Sequence, residues 1–340
     1  MVSLPNDLAA DEERRLSDLL VESPAVEAPL EVSESLIRHW CEAFDDANPL
    51  YLDRPCAQAS GFADLVAPPA AVLSTFALGF RYPPPRQPLP RNVHYAVKDV
   101  LGFPHAVISA IDAEHATVVE VGERVAISQR LVSVTAWKST RRGAGRFWTI
   151  EQVFRGRNGE IVARQRMTAF GYGRVRKAEV APASRADDGL GGPPPAAPRQ
   201  PVDRCWEDAT EGDPLPPLTM PITPTRCVYV ASATRDFGVQ HSVASAQTPA
   251  GKPFVNTPFL LGIAGRFLTD WGGPASRVRR VRLAMKENLY AGDVLHLAGH
   301  IAGKHVSGGR GLVEIELSIQ NAHAEVTHGI ADLELPMRRG

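Results

Sequence analysis

Two aspartates stand at the head of matching stretches, and the match limits what this chain can fold into. Asp46 to Asp236 is 190 positions (236 − 46), and Tyr51 to His241 is also 190 (241 − 51). Each stretch is followed by an apolar helical run and then by strands. Gly122 and Gly292 sit in similar turn-and-strand segments, Val121 to Val125 and Ala291 to Leu295, 170 positions apart (292 − 122). A unit of one long helix and an antiparallel sheet, present twice, predicts an α+β fold in which each sheet wraps its helix. Two such sheets can join edge to edge, which removes an exposed edge from each.

The pattern in each unit is legible in outline. Leu36, Ile37, Trp40, Cys41 and Phe44 recur at helical spacing over Val32 to Phe44, with Ser33 or Ser35 as cap. Pro49 discourages a continuing helix at Asp45 to Tyr51. Ala67-Pro68-Pro69 opens an apolar helical run, Ala70 to Leu78. From about residue 94 to 172 the reading is of strands: Thr117 to Val121, Val125 to Ser133, Phe147 to Phe154 and Ile161 to Phe170. Asn158-Gly159 predicts a tight hairpin between the last two. In the second half, Cys227 to Ala233 reads as strand-like. Phe259 to Trp271 reads as a buried helix, and His296 to Ile301, Val313 to Ile319 and Ile330 to Leu335 as strands. The expected division is a loosely docked lead-in over 1–30, a first unit over 31–175, a Pro/Gly-rich linker over 176–203 and a second unit over 204–340.

Charge and composition narrow the function. A formal net charge of −1 gives no sign of a nucleic-acid partner. No apolar run is long enough to cross a bilayer, and the acidic N-terminus has no signal core, so a cytoplasmic protein is expected. Cys41, Cys56, Cys205 and Cys227 form no CxxC pair, which argues for reduced thiols and against a zinc site. No metal or organic cofactor is expected.

The segment from Tyr229 to Trp271 carries the chemistry. Asp236 and His241 would point about 140° apart on a helix, but on a loop they can converge. A carboxylate beside an imidazole, at the start of a buried helix, can activate water. Asn256 stands just before that helix, either as its cap or as a group that orients the site. Backbone N–H groups near Thr257 to Phe259 offer an oxyanion donor, though Pro258 has none. Other residues have plainer readings. Asp46 suits a turn or cap, Tyr51 fills space or touches substrate, and the Phe259 to Trp271 stripe is core. Arg277, Arg279, Arg280 and Arg282 either meet anionic phosphates or form a solvated strand face. His296, His300 and His305 lie along one strand without a metal-ligand pattern.

These residues resemble the MaoC-like double hot-dog hydratases. In the first half the resemblance rests on Ala43 to Asp53, Ala67-Pro68-Pro69 and Asn158 to Arg164. In the second it rests on Ala233-Thr234-Arg235-Asp236-Phe237, His241, Phe254-Val255-Asn256, Thr269-Asp270-Trp271 and Gly273-Pro274. The family pattern is Asp-x-Asn-Pro-x-His-x-Asp. The second half keeps Asp236 and His241 but has Gly238-Val239 for Asn-Pro and Val243 for the last Asp. The first half keeps Asp46, Asn48, Pro49 and Asp53 but has Tyr51 in place of His. The resemblance implies a double hot-dog in which the first half is degenerate and opens a groove for a long acyl chain. It also implies that Asp236 and His241 hold the water added to a 2-enoyl thioester, giving the (R)-3-hydroxyacyl product or the reverse dehydration. Asn256, Thr257, Phe259 and Gly262 are then expected at the substrate. That substrate is an acyl-CoA, bulky and steroid-like or long, or an acyl-carrier-protein thioester; a homodimer is the expected assembly. The rival expectations are a non-catalytic acyl-thioester-binding or scaffolding protein, and a thioesterase.

Overall fold

The computed structural model describes residues 3–77, 92–173, 203–238 and 251–338. One sheet of eleven strands organises them, and its order is nearly a mirror image about the centre. The first half supplies β1 (Val26–Glu27), β2 (His105–His115), β3 (Ala126–Val134), β4 (Lys138–Thr140), β5 (Gly143–Arg155) and β6 (Ile161–Tyr172). The second supplies β7 (Leu218–Pro221), β8 (Arg277–Met285), β9 (Val294–Ser307), β10 (Arg310–Gln320) and β11 (Glu325–Leu335). The path runs β1-β3-β5-β6-β2-β8-β11-β10-β9-β7, with β4 a short addition beside β5. Its two ends, β1 and β7, are the short strands, which leaves little exposed edge. Asn158-Gly159 does turn β5 into β6, with Gly159 at φ +80°.

The two halves meet at β2 and β8, which pair antiparallel from Ala110–Ala284 to Glu114–Arg280. Arg280 grips Asp112 with two bonds of 2.8 and 2.6 Å across this seam and approaches Glu114 at 3.3 Å. Arg279 pairs with Glu334 at 2.6 Å and Arg282 with Glu314 at 3.4 Å. Three of the four arginines expected either at phosphates or on a strand face are therefore tied to carboxylates of the sheet. Arg277 has a different setting, described below.

Helices pack against the sheet: α2 (Glu34–Phe44), α3 (Pro49–Leu52), α4 (Arg54–Ala59) and α5 (Pro69–Leu73) from the first half, α7 (Pro224–Thr234) and α8 (Thr257–Gly272) from the second. α2 packs on α7, and α5 on α8. The Trp40 and Phe44 rings stack at 4.2 Å, and Phe44 stacks on Phe259 at 5.4 Å, so aromatic rings join the halves. Gly262 is required there: a Cβ on it would stand 2.4 Å from Phe44 Cε1 and 2.7 Å from Trp40 Cζ2. Free carbonyls at the helix ends are met across the interface as well. Arg226 Nη1 donates to Ala43 O at 2.9 Å, Arg266 Nη1 to Phe44 O at 2.7 Å, and Thr75 Oγ1 to Ala233 O at 2.5 Å. No helix among the described residues is long and apolar enough to cross a membrane.

Four sequence expectations are corrected. Cys227 to Ala233 is helical: Thr223 caps α7 by accepting from Arg226 N–H at 3.0 Å, Pro224 begins it, and Cys227, Val230, Ala231 and Thr234 recur at spacings of three and four on its buried side. Thr117 to Val121 is not a strand; the strand is β2, just before it, and only Glu120 bridges to Val66. Val93–Val100 forms a further helix, α6, capped by Asn92, with Val93, Ala96, Val97 and Val100 buried. The lead-in is docked: α1 (Ala10–Leu20) buries Leu16 and Leu19 against β3, and Asp7 pairs with the buried Arg146 at 2.8 Å. α1 and α6 share a second apolar cluster with Leu131, Trp148 and Ile150, further along β3 and β5. The expected linker lies outside the described residues, apart from Asp203 at its end.

Candidate active site

Both halves build the same corner at the end of a helix. α2 ends on Asp45 at φ 49°, and α7 ends on Arg235 at φ 55°; no other non-glycine residue described here has positive φ. In each case the left-handed cap turns the chain, and the next residue is the aspartate. Asp46 Oδ1 accepts from Asn48 N–H at 3.1 Å, and Asp236 Oδ1 accepts from Gly238 N–H at 3.3 Å. The corner is thus an Asx turn in both places. Gly238 replaces Asn without loss of this bond because the donor is backbone.

The corners then diverge. In the second half Asn256 makes contacts at three points. Its Nδ2 donates to Asp236 Oδ2 at 3.1 Å and to Thr234 Oγ1 at 2.9 Å, while its Oδ1 accepts from Phe259 N–H at 3.0 Å. Both amide donors and the acceptor have suitable partners, which determines the amide's orientation. Asn256 and Thr234 are buried. Thr234 Oγ1 donates in turn to Val230 O at 2.7 Å. The start of α8 is therefore bolted to the carboxylate of Asp236, with one Asp236 oxygen on each side of the corner engaged.

This geometry sorts the expected substrate residues. Phe259 N–H is taken by the cap, Leu260 N–H approaches Asn256 O at 3.4 Å, and Pro258 has no N–H. Thr257 N–H has no hydrogen-bond partner among the described residues. The Phe259 side chain is fully buried in the aromatic stack and is core. Gly262 faces Trp40 and Phe44 of the first half, one turn and more along α8 from the cap. His241 lies outside the described residues. Thr234 was given no role from sequence; its signal was its place in the matching segment Ala233 to Phe237, just before Asp236.

In the first half the cap of α5 is Pro68 and the first helical residue is Pro69, so neither a side-chain acceptor nor an N–H stands where Asn256 and Thr257 do. Asn48 instead caps α3, its Oδ1 accepting from Leu50 N–H at 3.0 Å. Tyr51 follows on α3 and is buried. Burial pushes the Tyr51 hydroxyl well above its usual value, with Asp46 adding to the effect. Burial also pushes the Asp46 carboxyl up to about 6, against the bond from Asn48 N–H. His115, at the end of β2, is held down at about 4 by burial and by Arg279.

A family profile described as "FAS1-like, dehydratase domain region" matches residues 24–165. Over 151 residues the chain is 30% identical to a probable enoyl-CoA hydratase alpha subunit of Thermomonospora curvata, covering 44% of this chain and 47% of that one. It is 32% identical over 126 residues to the 3-oxo-4,17-pregnadiene-20-carboxyl-CoA hydratase beta subunit of Mycobacterium tuberculosis, covering 36% of this chain and 93% of that one. The chain therefore spans about half the length of the alpha-subunit relative and nearly all of the beta subunit. A solved structure described as a MaoC-like dehydratase superposes with a TM-score of 0.70 at 16% identity, covering 95% of this chain and 100% of that one. At that identity the likeness is one of fold.

Proposed function

Because the chain belongs to the MaoC-like double hot-dog family of hydratases and dehydratases, we propose that its second half adds water reversibly to a 2-enoyl thioester, with coenzyme A as part of the substrate. The observation that carries this reading is the Asn256 bridge, which holds the Asp236 carboxylate at the head of the buried helix α8. Asp236 and His241 share the attacking water. As its oxygen bonds to Cβ, one of the pair takes the water proton, and a proton is delivered to Cα. Negative charge builds on the thioester oxygen, and Thr257 N–H is the donor left open at the helix start to meet it, aided by the helix dipole. The family likeness supports the (R)-3-hydroxyacyl product.

The first half, in this reading, is a degenerate copy that completes the sheet and makes room for a bulky or long acyl chain. A groove beside the β2–β8 seam, lined by Arg142, Lys286 and Asn288, lies next to Tyr290, which bridges Phe254 just before Asn256. Arg142 has no carboxylate partner among the described residues, whereas Lys286 pairs with Glu325 and Arg279, Arg280 and Arg282 are paired as well, so Arg142 is the cation offered to the carrier end of the thioester.

The test is turnover of crotonyl-CoA and a longer enoyl-CoA, followed as loss of enoyl-thioester absorbance. Wild type should consume at least one, and Asp236→Asn and His241→Ala should not. No turnover on any enoyl thioester, or full rate in both variants, ends the proposal. Acyl-CoA binding without turnover would instead indicate a binding protein, and release of free thiol a thioesterase.

A further inference from the structure

The first half's corner lacks the side-chain cap and first-turn N–H of the second, yet it opens on a narrow cleft with a cavity volume of about 40 Å³. That is room for a few waters or for the head group of a small ligand. Val66, Val72, Val162 and Val278 form much of its wall. Three polar side chains, each more than nine-tenths buried, also line it: Asn48 (7% exposed), Tyr51 (5%) and His115 (7%). Asn48 uses its Oδ1 on Leu50 N–H. Its Nδ2, the Tyr51 hydroxyl and the His115 ring have no hydrogen-bond partner among the described residues. Nor do they rank with the fully sealed orphan atoms of the protein, such as Gln165 Oε1, so they open onto the cleft. Near-buried polar groups left without partners need water or a ligand.

Arg277 supplies the charge. Its Nη1 donates to Pro274 O at 2.6 Å and Ser276 O at 2.7 Å, and its guanidinium lies 4.9 Å from the Phe62 ring centroid. No carboxylate pairs with it among the described residues, in contrast to its neighbours Arg279, Arg280 and Arg282. Burial lowers its pKa from the usual arginine value, so the lone cation is costly where it stands. A cation, a hydroxyl and an amide, each able to donate to an oxygen, thus line one largely apolar cleft.

We infer that this cleft is a binding site for a small apolar carboxylic acid, its carboxylate held by Arg277 with Tyr51 and Asn48 as further donors. The site is built where the first half's corner meets the start of β8 and does not rest on the hydratase reading.

Calorimetric titration of the full chain with hexanoate, octanoate and decanoate tests it, with octanamide as the uncharged control. Saturable binding of at least one acid is expected. Octanamide on wild type, and the acid on Arg277→Gln, should each bind at least tenfold more weakly, and Tyr51→Phe should bind the acid severalfold more weakly. Failure of all three acids to bind overturns the proposal. So does octanamide binding as tightly as octanoate, or Arg277→Gln binding as tightly as wild type. If Arg277→Gln does not fold, the octanamide and Tyr51→Phe comparisons decide. Crotonyl-CoA turnover is measured separately, so loss of this site and loss of hydration are told apart.

Discussion

The two corners share a backbone and differ in two residues that follow it. Asp46 and Asp236 sit in the same left-handed cap and the same Asx turn. The helix that faces them starts Pro68-Pro69 in the first half and Asn256-Thr257 in the second. Proline at those positions removes the side-chain oxygen that caps and the N–H proposed to meet an oxyanion. The Tyr51 for His exchange is thus one of several losses, and the first half is not one substitution away from activity. What it keeps is a cleft with polar groups on its wall, so the same corner has a proposed binding role in one half and a proposed chemical role in the other.

The largest expected effect tests the second corner. Asp236→Asn or His241→Ala should each lower kcat by about a hundredfold to ten-thousandfold on an enoyl-CoA. Asp46→Asn should leave turnover within a fewfold, because the first corner does no chemistry. Equal losses at Asp46 and Asp236 would break the comparison.

Asp46→Asn sharpens it in another way. The Asp46 pKa is raised from 3.8 to about 6, so its stabilising share is present below the unfolded value and is lost as pH rises through about 6. The amide keeps the Oδ1 acceptor without the buried charge. The variant should gain up to about 3 kcal/mol of stability at pH 7.5, from a shift of roughly two units, and little at pH 4. Denaturant melts at the two pH values measure the difference; no gain at pH 7.5 would contradict a buried, destabilised carboxylate.

Asn256→Ala removes the cap of α8 and the bridge to Asp236. A cost of about 1–2 kcal/mol in stability is expected from the cap and its lost bonds. The rate should fall beyond what unfolding accounts for, since the carboxylate loses its anchor. Pro68→Ala, at the matching position in the first half, should change turnover little. Comparable rates in wild type and Asn256→Ala would remove the bridge from the mechanism.

The smallest effect is an expected absence of gain. Tyr51→His rebuilds a carboxylate and an imidazole five positions apart in the first half. In an Asp236→Asn background it should restore no turnover, because Pro69 still offers no N–H. Recovery of a hundredth of the wild-type rate would show that the two corners are closer than the helix starts suggest.

Much of this was legible along the chain. The 190-position spacing, the Asn158-Gly159 hairpin and the helix beginning at Thr257-Pro258 are local signals, carried by turn chemistry and periodicity. Other elements were not. Cys227 to Ala233 is rich in small and β-branched residues, and only Thr223-Pro224 before it marks a helix. α6 is eight residues long and follows a proline-rich stretch, so its four buried positions gave a weak period. α1 looks too polar to dock, because only Leu16 and Leu19 make its buried contact. In the site, Asn256 had an evident role as a cap. Its second bond, to Asp236 twenty positions away, depends on where the end of α7 meets the start of α8.

The chain's own order of residues determined the repeat, the two Asx corners and the proline pair at the helix start beside the first of them. Each depends on dihedral limits and hydrogen bonds between near neighbours, which a sequence carries directly. Tertiary packing decided that Phe259 and Gly262 belong to the aromatic interface, that Arg280 clamps the β2–β8 seam, and that Arg277 is left unpaired beside Tyr51. Those outcomes depend on residues more than a hundred positions apart coming into contact, and no local rule of spacing contains that information.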